Sequence, residues 1–209
     1  MTIRKSSSLV YWLGNSLYLN ITNSCSNNFY FCLKNFKSGV GGFNLKLTGE
    51  PSAKDVIVEL QKVINLKNWK EIVFCGYGEP LERLDCVLEV SKWIRRYYGK
   101  IVSVRIDTNG QGLLLNKGRD VIKELKEAGV DKISVSLNAH DEETYNQICK
   151  PYFNNAYASI LDFIKRAKDF FDVEVTAVAV PEVDLSKIEE IAQKIGVRFR
   201  VREYIQCFW

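Results

Sequence analysis

A chain of 209 residues with 46% hydrophobic content can bury one sizeable core, and its length asks for no more than a single α/β domain over 1–209. Its 29 Lys and Arg against 25 Asp and Glu leave a dispersed net charge of +4, so nucleic-acid binding is not indicated. The apolar runs near the N-terminus are broken by Gly14, Asn15 and Asn20 and fall short of a membrane span or an export signal, which predicts a cytoplasmic protein without structural disulfides.

The first predicted element is a short hairpin in YWLGNSLYL, turning at Gly14-Asn15. Strand-like runs follow at about 16–22, 71–76, 101–107, 132–138, 173–180 and 199–205. Amphipathic stretches at about 52–67, 82–98, 119–128, 155–170 and 184–195 alternate with them. This βα grammar predicts parallel strands with right-handed helical crossovers, in an open doubly wound sheet or a complete or partial barrel. The basic group Lys92, Arg95, Arg96 and Lys100 falls on a helix and its end, where a solvated face is expected.

Several strands alternate where parallel strands covered on both faces would read as continuous apolar runs. Tyr18, Asn20 and Thr22 share one face, as do Ser103, Arg105 and Asp107, then Ser134, Ser136 and Asn138, and finally Arg198, Arg200, Arg202 and Tyr204. If the apolar faces pack under helices, these polar faces line a common lumen suited to a polar ligand. Arg105, Arg200 and Arg202 in such a lumen could also receive a phosphorylated metabolite.

The unusual segments all follow strands. They are SCSNNFYFC after the first, CGYGEP after the second, DTNGQG after the third, NAHDEET after the fourth and PEVD after the fifth. The C-terminal ends of parallel strands are where α/β folds build their sites. In CGYGEP the two glycines permit close backbone approach and Pro80 holds Glu79 extended. In NAHDEET, Asp141 is a candidate N-cap and His140, the only histidine, a candidate loop or capping residue. The six cysteines, at 25, 32, 75, 86, 149 and 207, form no C-x-x-C pair, which weighs against a zinc ribbon.

The order of these motifs resembles that of the radical S-adenosylmethionine (radical SAM) superfamily, and its phrasing is most similar to the TatD-associated radical SAM proteins. The resemblance spans nearly the whole chain. It implies a partial (β/α)6 barrel of the TIM type with a short N-terminal hairpin. It implies a [4Fe-4S] cluster and S-adenosylmethionine as cofactors, and reductive cleavage of the latter to a 5′-deoxyadenosyl radical that abstracts hydrogen from a substrate. The family's cluster motif, C-x-x-x-C-x-aromatic-C, falls on Cys25, position 29, Phe31 and Cys32, and position 29 is Phe29. Phe31 then matches the residue beside the adenine, and Gly76, Tyr77, Gly78 and Glu79 the segment receiving the methionine amino group. Thr108, Asn109, Ser136 and Asn138 match positions reaching carboxylate or ribose, and Val178 faces the adenine. Cys75 and Cys207 are alternative sources of a third sulfur. A cluster-deficient relative that keeps a nucleoside-binding or partner-binding role is the other reading. The substrate is not legible, and a partner protein is expected to complete the barrel mouth.

Overall fold

The structure, a computed structural model, describes residues 7–204. Cys207 and the end of the sixth expected strand lie outside the described residues.

Val10–Leu13 (β1) and Ser16–Leu19 (β2) form the expected hairpin, with Leu13 opposite Ser16 and Gly14 at φ +58° in the turn. The long segment after β2 contains the small hairpin Gly39–Val40 (β3) and Phe43–Asn44 (β4). Then come Ala53–Val63 (α1), Glu71–Phe74 (β5), Leu84–Tyr98 (α2), Ser103–Thr108 (β6), Gly112–Leu115 (α3) and Val121–Glu127 (α4). The last elements are Lys132–Ser136 (β7), Glu142–Cys149 (α5), Ala156–Ala167 (α6), Asp172–Val178 (β8), Leu185–Ile195 (α7) and Arg198–Arg202 (β9). One sheet runs β1-β2-β5-β6-β7-β8-β9, and every neighbouring pair after the hairpin is parallel. Among the described residues β9 does not pair back to β1, so the six parallel strands make an open, partial (β/α)6 barrel.

Local chemistry fixes where the helices start. Ser52 and Asp55 form a reciprocal capping box on α1, Asp141 accepts the Thr144 N–H at the start of α5, and Asp184 accepts those of Ser186 and Lys187 on α7. Gly196 ends α7 at φ +84°, a conformation that costs glycine nothing. His140 accepts the backbone N–H of Asp184 through Nδ1 at 3.3 Å, a capping role that ties the loop after β7 to the start of α7.

The apolar faces pack as the alternation requires. Val104, Ile106, Val135, Leu137, Val175 and Ala177 are fully buried beneath helices carrying Leu60, Val87, Val90, Ile160 and Phe163. Burying such side chains contributes about 1.5–3 kcal/mol each. Ser134 and Glu174, like Arg105 and Asp107, take the opposite face. One expectation about the surface is corrected: Arg95 is half-buried, with its guanidinium donating to the carbonyls of Gly129, Gly99 and Val102 and pairing with Asp131. It fastens the end of α2 to the loop before β7.

Candidate functional site

The site forms where the segments after β2, β5, β6 and β7 meet at the C-terminal end of the strands. Gly76 and Gly78 are required there, for a reason the sequence did not reveal. A Cβ on Gly76 would lie 2.2 Å from Asn20 Oδ1, and one on Gly78 would lie 2.2 Å from the Ser24 carbonyl oxygen. The close approach that these glycines permit is between two loops of the protein itself. Asn20 accepts the Tyr77 N–H at 2.9 Å and donates to the carbonyls of Ser8 and Leu45, so its amide is spent on the scaffold. Thr22 likewise donates to Glu50 at 2.5 Å and accepts the Ser24 N–H. The Tyr77 hydroxyl reaches back to the carbonyls of Lys34 and Lys37 at 3.4 Å, bracing the far end of the cysteine loop.

Glu79 is 3% exposed and fully engaged. Its Oε1 accepts from the Leu81 N–H at 3.0 Å and the Thr108 hydroxyl at 2.8 Å, and its Oε2 accepts from the Asn109 N–H at 2.6 Å. Burial pushes its carboxyl up to about 7, against these three donors, which favour the charged form. The carboxylate expected to face a ligand ammonium is therefore turned inward, and so is Thr108, whose hydroxyl also accepts from the Gly110 N–H at 3.0 Å. Asn109 donates to Ser26 Oγ at 2.9 Å and stands 4.0 Å from Cys25 Sγ. These residues meet as the sequence placed them, but they bind each other.

The cysteine loop is held on a third side by α5. Asn28 donates its N–H to the Cys149 carbonyl at 2.9 Å, and Tyr152 donates its N–H to Ser26 at 2.8 Å. Asn27 and Gln111 both donate to the Tyr145 hydroxyl, at 2.8 and 3.0 Å, and Gln111 also donates to Asn27 at 2.6 Å. Ser26, Asn27, Gln111, Tyr145 and Cys149 went unread in the sequence. The signal that could have found two of them is the spacing of Tyr145 and Cys149, one turn apart on the inner face of a helix capped by Asp141.

Cys25 and Cys32 are both half-buried. Burial pushes the Cys25 thiol up to about 11, with the Glu79 charge adding to it, and burial also raises Cys32. Phe29 stacks at a tilt on Phe31, ring centres 4.9 Å apart, and Tyr30 meets Phe31 edge-on at 5.1 Å. Cys75 sits in the lumen against Asp107, with burial raising its thiol. Among the described residues no group of three or more His, Cys, Asp and Glu side chains is arranged to hold a metal ion.

The polar faces do line a lumen. Arg105 lies 3.3 Å from both Glu71 and Asp107, Arg198 pairs with Asp172 at 2.8 Å, and Arg200 pairs with Glu174 at 2.9 Å. Arg202 donates through Nη2 to Ser136 Oγ at 3.0 Å and to Asn138 Oδ1 at 3.4 Å. Asn138 adopts φ +59°, unusual for a residue with a Cβ, which turns its amide toward Arg202 and the Cys149 thiol. Ser136, Asn138 and Arg202 thus form one group, with Val178 opposite Arg202 in the register. The expectation that Arg105 and Arg200 stand ready for a phosphate is corrected, because carboxylates of the barrel neutralise both.

This architecture is that of a known superfamily. Residues 19–195 match the family model described as the radical SAM superfamily, and the chain belongs to it. It is 26% identical, over 87% of its length, to a probable GTP 3′,8-cyclase of Pyrococcus abyssi, covering 53% of that protein. To a probable dual-specificity RNA methyltransferase RlmN of Clostridium acetobutylicum it is 28% identical, over 89% of this chain and 51% of that one. The chain spans about half the length of the curated relatives it matches. In fold it is similar to Streptococcus suis SuiB bound to S-adenosylmethionine, with a TM-score of 0.68 at 15% identity over 90% of this chain and 40% of that one. It is also similar to HydG, a maturase of the [FeFe]-hydrogenase, with a TM-score of 0.65 at 18% identity over 92% of this chain and 43% of that one. No helix among the described residues is long and apolar enough to cross a membrane.

Proposed function

We propose that this chain is a radical SAM core of the TatD-associated kind that binds S-adenosylmethionine at the barrel mouth, and in which Phe29 replaces the middle cluster cysteine. The observation that carries the reading is the convergence of the segments after β2, β5 and β6 on one hydrogen-bonded unit around Glu79 and Asn109, which Gln111 joins to Tyr145 on α5. In this reading Phe31 lies beside the adenine, the backbone of Gly76, Tyr77 and Gly78 receives the methionine amino group, and Ser136, Asn138 and Val178 approach the nucleoside from the other side. Glu79, Thr108 and Asn109 support that surface from below, because their own hydrogen bonds are already spent.

The residues present do not fit a [4Fe-4S] cluster held by three thiolates. Phenylalanine offers iron no donor, the Phe29 ring is packed against Phe31 and the core, and no three-donor group exists among the described residues. Two thiolates hold a cluster more weakly and leave a further iron unprotected. On this first reading the chain as it stands is a nucleoside-binding relative in which the cluster is deficient.

A second reading is favoured by Cys25 and Cys32, which remain within electrostatic reach of one another on one loop. There Cys25 and Cys32 would hold a cluster together with a third sulfur from elsewhere, and the cluster would supply the electron for reductive cleavage of S-adenosylmethionine and hydrogen abstraction from a substrate, with a partner protein or a further part of a longer chain closing the mouth. Calorimetry with S-adenosylmethionine, combined with iron and sulfide analysis after anaerobic reconstitution, separates the two. Binding without iron uptake supports the first, about four irons per chain supports the second, and absence of S-adenosylmethionine binding removes both.

A further inference from the structure

Four arginines project from β6 and β9 along the lumen side of the sheet, and three of them have carboxylate partners. Arg105 has Glu71 and Asp107, Arg198 has Asp172, and Arg200 has Glu174. Among the described residues Arg202 has no carboxylate within ion-pair distance. Its two hydrogen bonds go to neutral oxygens, of Ser136 and Asn138. Its Nε is shielded from solvent and has no acceptor, while Asn138 presents its Oδ1 to Arg202 and the other end of its amide to the Cys149 thiol. A cationic donor is therefore held in the lumen wall without an oxygen to receive it.

A shielded cation with no carboxylate in contact is costly to hold. The protein has not relieved that cost with the acids nearby, since Glu174 pairs with Arg200 and Asp107 with Arg105. Burial correspondingly disfavours the charged form of Arg202, while the more distant charges of Asp107 and Glu174 support it. Arg202 also stands at the last register position of β9, opposite Val178, so its head group is at the mouth end of the barrel wall. The unspent part of a planar guanidinium matches the oxygens of a carboxylate or a phosphate.

We propose that Arg202 is a receptor for the anionic oxygens, carboxylate or phosphate, of a second small ligand that enters the lumen beside the nucleoside. The inference rests on the ligand-binding barrel of the preceding section and adds to it a substrate class, an anion-bearing small molecule. Ser136 and Asn138, whose oxygens accept from Nη2, orient the arginine and leave its Nε to the ligand.

The test uses inorganic phosphate as the probe, with chloride at matched ionic strength as the reference. Melting temperatures are measured for the unaltered protein, Arg202→Gln, Arg202→Lys and the exposed, carboxylate-paired control Arg198→Gln, each checked for folding by far-UV circular dichroism. S-adenosylmethionine affinity is measured on the same proteins by calorimetry. The expected result is a phosphate-dependent rise of about 2–4 °C in the unaltered protein, the shift for roughly 1 kcal/mol of linkage in a chain of this size. The rise should persist in Arg198→Gln, shrink in Arg202→Lys and vanish in Arg202→Gln, with S-adenosylmethionine affinity unchanged within about twofold. An equal phosphate response in Arg202→Gln overturns the proposal, as does no response in any variant. A loss of S-adenosylmethionine affinity of tenfold or more in Arg202→Gln, about 1.4 kcal/mol, assigns the arginine to the nucleoside ligand and overturns it as well. If the unaltered protein responds to phosphate through Arg202 but does not bind S-adenosylmethionine, this inference stands and the proposed function falls.

Discussion

The carboxylate of Glu79 accepts the backbone N–H of Asn109 at 2.6 Å, and through that bond the segment after β5 is fixed to the segment after β6. Asn109 in turn donates to Ser26, so one carboxylate after the neighbouring strand organises the cysteine loop by way of the segment after β6.

The raised carboxyl of Glu79 carries a pH dependence. Its folded value, about 7, lies above the ordinary glutamate value of 4.5, so the folded state holds the proton more tightly. The associated stability is fully present below about pH 4.5 and is lost as pH rises through about 7, on the order of 3 kcal/mol for a shift of this size. Urea midpoints across pH 4.5 to 8 should show the unaltered protein losing stability relative to Glu79→Gln by up to that amount. A difference that does not change with pH would show that the carboxyl titrates as an ordinary one.

Gly78→Ala should lower stability and disturb the cysteine loop together. The new Cβ would meet the carbonyl oxygen of Ser24 at 2.2 Å and that of Thr22 at 2.7 Å, and backbone cannot swing aside as a side chain can. Overpacking of this kind costs about 1–3 kcal/mol, with more where backbone must move. Thermal melts compared with Gly49→Ala, where a Cβ meets nothing within 4 Å, give the reading. Equal melting temperatures would contradict the contact.

Tyr145→Phe leaves the side chains of Asn27 and Gln111 without their shared acceptor, in a place where all three residues are buried. A loss of about 1–3 kcal/mol is expected. Amide hydrogen exchange should rise most in the cysteine loop around residues 25–32. Uniform destabilisation, with no excess exchange there, would show that the network does not hold the loop.

Phe29→Cys addresses the cluster directly. Phe29 is half-buried against Phe31, so its loss should cost about 1–2 kcal/mol, less than a fully buried phenylalanine. In return, three thiols stand at the motif positions. Anaerobic reconstitution should then bring brown colour and about four irons per chain, where the unaltered protein takes up little. Destabilisation without gain of iron would mean that the loop no longer holds its sulfurs in cluster geometry.

Much of the architecture was legible because it depends on local patterns. The period of two in SVRIDT and KISVS set which residues face the helices, and the structure keeps that phase, with Val104, Ile106 and Val135 buried and Arg105 and Ser136 on the lumen side. The Gly14-Asn15 turn and the cap Asp141 were readable for the same reason: each acts within a few residues. Helix α5 was visible only at its cap, since eight residues give too few turns for a clear apolar stripe. The hairpin of β3 and β4, two residues per strand, is below what periodicity can show.

The sequence by itself determined the alternation of strands and helices, the placing of unusual residues after strands, and Phe29 between two cysteines. Which partner each polar side chain takes was decided only by the tertiary structure. Glu79 could equally face a ligand or a neighbouring loop. The choice came from Gly76 and Gly78 bringing the segment after β5 against that after β2, and from Thr108 and Asn109 arriving beside it on β6. In the same way Arg105 and Arg202 read alike in sequence. The register of β5, β6, β8 and β9 gave carboxylates to the first and left the second with neutral oxygens. Hydrogen bonds and ion pairs act over about 3–4 Å, so they are settled by packing that joins residues far apart in the chain.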